Sequence, residues 1–186
     1  HPDGHQSRRP LPRDPVLRPP AGQARPRLHP RQDARDLPSR RGGEQLSRPF
    51  RRVVAEKIRA VADSVRAVAA AAKIIVAGDF NDYAKSESVR LVCADGFTDV
   101  SAEAVGQNGA RATYKYHGEW RSLDHILVST SLLSSVRSCR VHDARFLLTD
   151  DEKYGGVQPR RNYLGPRWLD GFSDHLPLVA EFALDE

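Results

Sequence analysis

Carboxylate and imidazole side chains that could bind a cation or transfer a proton occur in three short segments of this sequence. Residues 78–82 read Gly-Asp-Phe-Asn-Asp, residues 122–125 read Ser-Leu-Asp-His, and residues 173–175 read Ser-Asp-His. A carboxylate and a carboxamide two residues apart, as in Asp79 and Asn81, can hold a hard cation, a water molecule and a phosphoryl oxygen. Whether this chemistry occurs depends on which of the three segments the fold brings together.

The first segment follows a predicted buried strand. Ile74, Ile75 and Val76 are β-branched and apolar, which is typical of a strand covered on both faces. The strand ends at Gly78 and delivers Asp79 and Asn81 directly after it. In α/β proteins, functional side chains collect just beyond the carboxyl ends of strands, so this turn is a candidate site.

The second segment places a charge on an otherwise apolar strand. Alternation over residues 122–129 puts Leu123, His125 and Leu127 on one face and Asp124, with apolar neighbours, on the other. A buried carboxylate requires a partner, so a cation or an imidazole is expected beside Asp124. A buried ion pair without chemistry is the alternative interpretation of such a contact.

The surrounding pattern predicts an α/β protein. Apolar residues at steps of three or four predict a helix over residues 51–72, with its apolar stripe packed on a sheet. The stripe consists of Val54, Ile58, Val61, Val65, Val68 and Ala72. A short helix is expected over 87–94, and strands are expected over 112–116, 121–129 and 136–148. A last strand, with Asp174 and His175 at its start, is expected to close the chain and to include Leu178, Ala180 and Phe182. Residues 149–171 form a long polar loop, which is either functional or mobile.

Composition divides the chain into two parts. Residues 1–50 contain 11 arginines and 5 acidic residues, a net charge of +6, whereas the remaining 136 residues contain 18 basic and 19 acidic residues. Residues 1–36 hold 8 prolines and almost no aliphatic residues, so this segment is expected to be disordered.

The two cysteines form neither a metal-binding spacing nor a disulfide framework, and no apolar run is long enough to span a membrane. The chain begins at His1 and contains no methionine, which indicates a processed or partial chain and leaves its compartment open.

The three segments, in this order and about 45 and 50 residues apart, resemble the endonuclease/exonuclease/phosphatase superfamily. These are magnesium-dependent phosphoesterases that include the DNase I-like nucleases. The resemblance runs from about residue 37 to the end and corresponds to the C-terminal half of the family fold. It implies half of a four-layer α/β sandwich, with a mixed or antiparallel sheet and helices on one face.

The resemblance also implies roles for individual residues and a cofactor, Mg²⁺ or Mn²⁺. The catalytic residues would be Asp79, Asn81, Asp124 and His175, and the metal ligands would be Asp79 and Asp174. The loop before Ser173 would face the substrate, through Arg160, Arg161 and Tyr163. The physical properties of these side chains agree with the implied roles: carboxylates suit a hard cation, and a carboxylate fixes the tautomer of a neighbouring imidazole.

The first half of the family fold, with its metal-binding Glu and its own His, has no counterpart in this sequence. Residues 35–40 read Arg-Asp-Leu-Pro-Ser-Arg where the family typically has Asn-His-Trp-Pro-Ser-Arg, so Asp36 stands in the place of the His. The resemblance stops abruptly upstream. This edge favours a change of reading frame near residues 35–37, and a natural basic tail is the other interpretation. The expected organisation is therefore a disordered segment over 1–36 and a partial catalytic domain over 37–186.

The sequence thus predicts a metal-dependent phosphoesterase that is weakly active or inactive in this form. A non-catalytic remnant or binding protein that retains a half-site is the main alternative, and a nucleic-acid binder with a basic tail is a third. The substrate is left open among nucleic acids, phospholipids and small phosphate esters, and no obligate protein partner is evident. A half sandwich should also leave apolar side chains exposed.

Overall fold

A computed structural model describes residues 40–183 of the chain, with side chains from Arg48 onward. The expected disorder of residues 1–36 and the frame change near residues 35–37 lie outside these described residues, and the boundary between the two predicted domains stays a prediction. Over the described range, no helix has the length and apolar character needed to cross a bilayer.

The described chain contains three α-helices, one 3₁₀ turn and eleven short strands. The helices are α1 (Arg40–Val68), α2 (Glu87–Cys93) and α3 (Thr130–Leu133), and the 3₁₀ turn covers Arg145–Leu147. The first six strands are β1 (Ile75–Asp79), β2 (Phe97–Asp99), β3 (Tyr114–Tyr116), β4 (Glu119–Arg121), β5 (Asp124–Ser129) and β6 (Val136–Val141). The remaining strands are β7 (Leu148–Asp150), β8 (Val157–Pro159), β9 (Tyr163–Leu164), β10 (Arg167–Trp168) and β11 (Leu178–Phe182).

The central sheet is antiparallel, with β5 between β1 and β2. The side chains of β5 alternate as the sequence predicts. Leu127 packs with α1 and α2 on one face of the sheet, and Ile126 and Val128 pack against the β6–β11 pair on the other. This layering of helices, sheet and second sheet confirms the predicted fold class, with helices on one face of an antiparallel sheet.

The position of α1 differs from the prediction at both ends. The helix begins at Arg40, not at residue 51, and continues through Pro49. It ends at Val68, not at residue 72, because the chain turns there: the carbonyl of Ala72 accepts a hydrogen bond of 2.6 Å from the hydroxyl of Ser131. This contact, made from the start of α3, directs the chain into β1.

The predicted packing face of α1 is also wrong. Ala55 and Ala62 are the buried residues of α1 in the helix-side core, and Ile58 packs beside them. The predicted stripe is largely exposed, with Val61 at 66% and Val68 at 91% of their accessible surface. The small alanine side chains let the helix approach the sheet closely, and this leaves the larger valines on the flank.

The predicted loop over residues 149–171 is more ordered than the sequence indicates. It contains the antiparallel pairs β7–β8 and β9–β10. The buried ammonium of Lys115 on β3 lies 2.8 Å from the carboxylate of Asp151 and donates to the carbonyls of Gly155 and Val157. This single side chain satisfies several polar groups of the turn between β7 and β8 and holds that turn against the β3–β4 hairpin.

Candidate functional site

Pairing of β1 with β5 brings the first two predicted segments together. Asp79 is the register partner of Asp124, and Gly78 is the partner of His125. The amide of Phe80 then donates to the carbonyl of Leu123 at 2.9 Å, which keeps the end of β1 attached to the start of β5. Directly opposed residues point to the same face of a sheet, so the two carboxylates become neighbours although 45 residues separate them.

The turn after β1 is held by Asp79 itself. One carboxylate oxygen of Asp79 accepts the backbone amide of Asn81 at 2.8 Å, and the other accepts its side-chain amide at 3.1 Å. Asn81 has a positive φ of 49°, a left-handed conformation that Asn tolerates better than most residues. Both side chains are exposed at the end of the sheet.

The third segment reaches the same place through β3. His175 forms a β-bridge with Tyr114, and the amide of Leu176 donates to the carbonyl of Thr113 at 2.8 Å. These backbone contacts place the Nδ1 atom of His175 2.7 Å from a carboxylate oxygen of Asp124. The ring of Tyr114 packs against His175 with ring centres 4.7 Å apart. The imidazole expected beside Asp124 is therefore present.

The contact between Asp124 and His175 favours the charged form of both groups. The hydrogen bond with Asp124 raises the pKa of His175, and burial opposes this rise to a smaller extent. Burial acts to raise the pKa of Asp124, but hydrogen bonds from His175 and Thr113 together hold it below its usual range. The imidazole is thus oriented and made more basic by its carboxylate partner.

Asp79, Asp124 and His175 form a group that fits a divalent cation. One ligand atom from each side chain lies within 4.8 Å of the others. Two carboxylate oxygens and an imidazole nitrogen are donors that Mg²⁺ or Mn²⁺ accepts, although hard cations prefer the oxygens. Asp174, predicted as a ligand, is exposed and outside this group, but its charge and that of Asp79 both act to raise the pKa of His175. The metal-binding roles of Asp79 and Asp174 stay predictions.

An open cleft of about 770 Å³ adjoins the turn. Asp79 and Asn81 form one part of its lining, with Arg121 beside them, and much of the rest consists of apolar residues of α1 and β1. The exposed carboxylate of Asp79 is therefore accessible from solvent through this cleft.

The three predicted substrate-binding residues have different surroundings. The guanidinium of Arg161 lies 5.2 Å from the ring centre of Tyr114, the residue that packs on His175, and donates to the carbonyl of Lys115. Arg160 lies over the ring of Phe172, and Tyr163 packs edge-to-face on Trp168. Through Tyr114, Arg161 is linked to His175. Binding of substrate by all three stays a prediction.

A second carboxylate–histidine pair lies beneath the turn, and its carboxylate was not among the predicted site residues. His125 is 1% exposed, with Nδ1 2.7 Å from Asp99 and Nε2 2.8 Å from the carbonyl of Asp82. Burial acts to lower the pKa of His125, but the hydrogen bonds with Asp99 and with the carbonyl of Asp82, together with the charges of Asp99 and Asp124, outweigh burial and raise it. The carboxylate of Asp82 is held in turn by Ser88 and Arg51. The alternation of β5 places His125 on the helix side, but no sequence signal identifies Asp99 as its partner.

Comparison with known proteins gives a family-level match. The family model described as "Endonuclease/Exonuclease/phosphatase family" matches residues 34–183. Among curated proteins, no sequence matches this chain.

Solved structures of three bacterial proteins resemble this chain in fold. A family protein from Bacteroides thetaiotaomicron is 19% identical to this chain, with a TM-score of 0.47. The match covers 73% of this chain and 46% of the Bacteroides protein. A mannosyl-6-phosphatase from the same organism is 18% identical, with a TM-score of 0.48, and the match covers 72% of this chain and 46% of the phosphatase. A family protein from Bacteroides vulgatus is 20% identical, with a TM-score of 0.45, and the match covers 73% of this chain and 44% of that protein. This chain spans less than half the length of each of these structures.

Proposed function

Because this chain belongs to the endonuclease/exonuclease/phosphatase family, whose members hydrolyse phosphoester bonds, we propose that it carries half of a divalent-cation-dependent phosphoesterase site. The observation that supports the proposal most is the convergence of Asp79, Asp124 and His175 from three separate segments, with their ligand atoms within 4.8 Å of one another. A divalent cation bound there would stabilise negative charge on the phosphoryl oxygens during displacement.

The side chains of this chain would divide the remaining work. Asp124 would accept a hydrogen bond from the Nδ1–H group of His175, which leaves Nε2 with one role at a time: it would either bind the cation or, with the cation held by the carboxylates alone, take a proton from the attacking water or contact the phosphate. Asp79 would orient the water, and the side-chain amide of Asn81 would donate to a phosphate oxygen. Asp174, at the rim of the site, would add a carboxylate toward Mg²⁺ or Mn²⁺.

Hydrolysis should be slow in this 186-residue chain, since it spans less than half the length of the relatives in the family fold. The half-site lacks the metal-binding Glu and the second His that the family resemblance implies for the other half. A phosphate ester is the expected substrate class, as a nucleic acid, a phospholipid or a small molecule. The second candidate function is a non-catalytic protein that keeps the cation-binding group without turnover.

Hydrolysis of aryl phosphate monoesters and diesters by the purified chain tests the proposal. We expect slow release of the aryl alcohol with Mg²⁺ or Mn²⁺ and none with a chelator. Asp79→Ala and His175→Ala should each lower the rate about a hundredfold or more, because each removes a group that acts on the reacting atoms. Asp63→Asn, an exposed carboxylate on α1, should leave the rate unchanged.

Two results would contradict the proposal. Rates that are insensitive to Asp79→Ala would show that the hydrolysis comes from elsewhere. Cation binding that depends on Asp79 without any turnover would favour the non-catalytic alternative.

A further inference from the structure

Residues 160–172 form a hairpin that is paired from its base to its tip. The amide of Phe172 donates to the carbonyl of Arg160 at 2.7 Å, and the amide of Leu169 donates to that of Asn162 at 2.9 Å. Tyr163 then faces Trp168 in the β9–β10 register, and the chain turns at Gly165, which has a positive φ of 58°. We call residues 160–172 the tip hairpin. Its backbone is preorganised, so its side chains are presented in a fixed arrangement.

The large apolar side chains of the tip hairpin are exposed. Five of them stay between 37% and 60% accessible, although Phe172 packs edge-to-face on Phe146: Tyr163, Leu164, Trp168, Leu169 and Phe172. Apolar side chains that stay in contact with water contribute little to the stability of a two-stranded hairpin. Clusters of exposed apolar side chains mark interaction surfaces.

The apolar side chains lie on both faces of the tip hairpin. Tyr163 and Trp168 are opposed and share one face, where their rings pack with centres 5.0 Å apart. By strand alternation, Leu164 and Leu169 share the other face, which borders an open cleft beside Tyr116. Leu164, next to the turn, is still 60% accessible, so the tip itself is exposed on both faces. A groove on a protein partner would cover one face only. An apolar tip with two exposed faces fits a medium that surrounds it, such as the interfacial region of a lipid bilayer.

The charges of the tip hairpin agree with an anionic surface. Residues 160–172 contain three arginines, Arg160, Arg161 and Arg167, and one acidic residue, Asp170. Tyrosine and tryptophan favour the level of the lipid headgroups because their rings are apolar and carry one polar group. Arginines near the surface of an anionic leaflet add attraction that is screened by salt.

We propose that the tip hairpin inserts into the interfacial region of an anionic phospholipid bilayer and holds the protein at a membrane surface. Tyr163, Leu164 and Trp168 are the inserted side chains, and Arg167 contacts the headgroups. The inference does not depend on hydrolysis, because binding to vesicles is measured without turnover. It would, however, bring the phosphoesterase site close to phosphate esters of lipids.

Fluorescence of Trp168 during vesicle titration tests the inference. The chain has two tryptophans, so the Trp120→Phe variant leaves Trp168 as the sole reporter. With vesicles of phosphatidylcholine and phosphatidylserine, its emission should shift to shorter wavelength and should be quenched by brominated acyl chains. Arg167→Gln should weaken partitioning about fivefold, the factor expected for one surface arginine.

Co-sedimentation with the same vesicles separates the tip hairpin from the basic N-terminal segment. Tyr163→Ser combined with Trp168→Ser should lower the bound fraction at least about tenfold, because two interfacial anchors are lost. Val68→Ser, which removes an even more accessible apolar side chain at the end of α1, should leave binding unchanged. Circular dichroism checks that each variant keeps its fold.

Three outcomes would overturn the inference. Undiminished vesicle binding by the double variant would assign binding to the basic residues 1–50. Absence of an emission shift would exclude insertion of Trp168. An emission change caused by a soluble phosphate ester and not by vesicles would instead make the tip hairpin a flap over substrate.

Discussion

In both His125 and His175 the Nδ1 atom contacts a carboxylate, but the Nε2 atoms of the two rings have different surroundings. In His125 this atom faces the carbonyl of Asp82, so both ring nitrogens contact oxygen acceptors inside the protein. A carbonyl can only accept, so Nε2 must carry a proton and the ring is best satisfied as an imidazolium paired with Asp99. His175 is only half-buried and can offer its Nε2 atom to a ligand. The first pair therefore supports the turn, and the second is available for chemistry.

Removal of the Asp99 charge should destabilise the protein in a pH-dependent way. The raised pKa of His125 contributes stability that is complete below the unfolded value near 6.5 and is lost as pH rises through the folded value. The lowered pKa of Asp99 contributes stability above about 3.9 that is lost as pH falls through its folded value. Asp99→Asn should therefore cost about 3 kcal/mol near pH 6 and flatten the decline in stability at higher pH.

Urea unfolding at several pH values measures this effect. Asp63→Asn serves as the control, since Asp63 pairs with Arg66 at the surface and should change stability little. A loss in Asp99→Asn that is constant from pH 5 to about pH 9 would show that His125 is not held in its charged form.

At the scale of elements, α1 is the part of the fold that holds the turn after β1 from outside the sheet. Arg51 donates to the carboxylate of Asp82 at 2.9 Å, and Arg66 donates to the carbonyl of Asp95 at 2.8 Å. Between these two anchors, Ala55 and Ala62 allow close contact with the residues of α2 and the central sheet. The position of the turn therefore depends on how closely α1 packs.

Enlargement of the alanine face should weaken the fold more than the same change on the valine flank. Ala62→Leu adds volume to a packed interface and should lower the free energy of unfolding by about 1–3 kcal/mol. Val61→Leu, one residue away and exposed, should change it by less than about 0.5 kcal/mol. Urea midpoints followed by circular dichroism compare the two. Equal effects would mean that the valine flank also contacts the sheet.

The sequence predicts a contact well where one residue differs in character from its neighbours. It predicts the buried face of a helix less well where two rows of apolar residues share the same spacing. A charge on the apolar strand β5 was sufficient to predict either a cation or an imidazole beside Asp124, because a buried carboxylate needs a partner. The face of α1 was mispredicted because the alanine row and the valine row both repeat at helical spacing. Hydrophobicity favours the valines, whereas close packing selects the alanines. Asp99 could not be assigned to His125, because only the pairing of β2 with β5 brings them together.

At the scale of the whole molecule, the described residues leave an apolar groove beside β1. Val54, Val61 and Val65 of α1 border it together with Ile75 of β1, which is the edge strand of the central sheet. The exposed apolar surface expected for a half sandwich is thus present. Unpaired strand edges with apolar flanks promote association between chains.

We expect chains to self-associate through this groove, and we expect charged substitutions in the groove to lower the association. Val61→Lys with Val65→Lys places two charges in the groove and should raise the monomer fraction in sedimentation velocity at a given concentration. Ala60→Lys with Ala67→Lys adds the same charge to exposed positions on the same helix outside the groove and should have a smaller effect. If the wild-type chain is monomeric at all concentrations, or if both pairs act alike, the groove does not drive association.

Cation binding by Asp79, Asp124 and His175 is the property on which the proposed hydrolysis depends most directly. Titration of the 186-residue chain with Mn²⁺, followed by electron paramagnetic resonance, measures it without any need for turnover. We expect one Mn²⁺ per chain, with affinity lowered at least about tenfold by Asp79→Asn and unchanged by Asp63→Asn. Equal affinity in wild type and Asp79→Asn, or no saturable binding at all, would contradict the assignment of this group as a divalent-cation site.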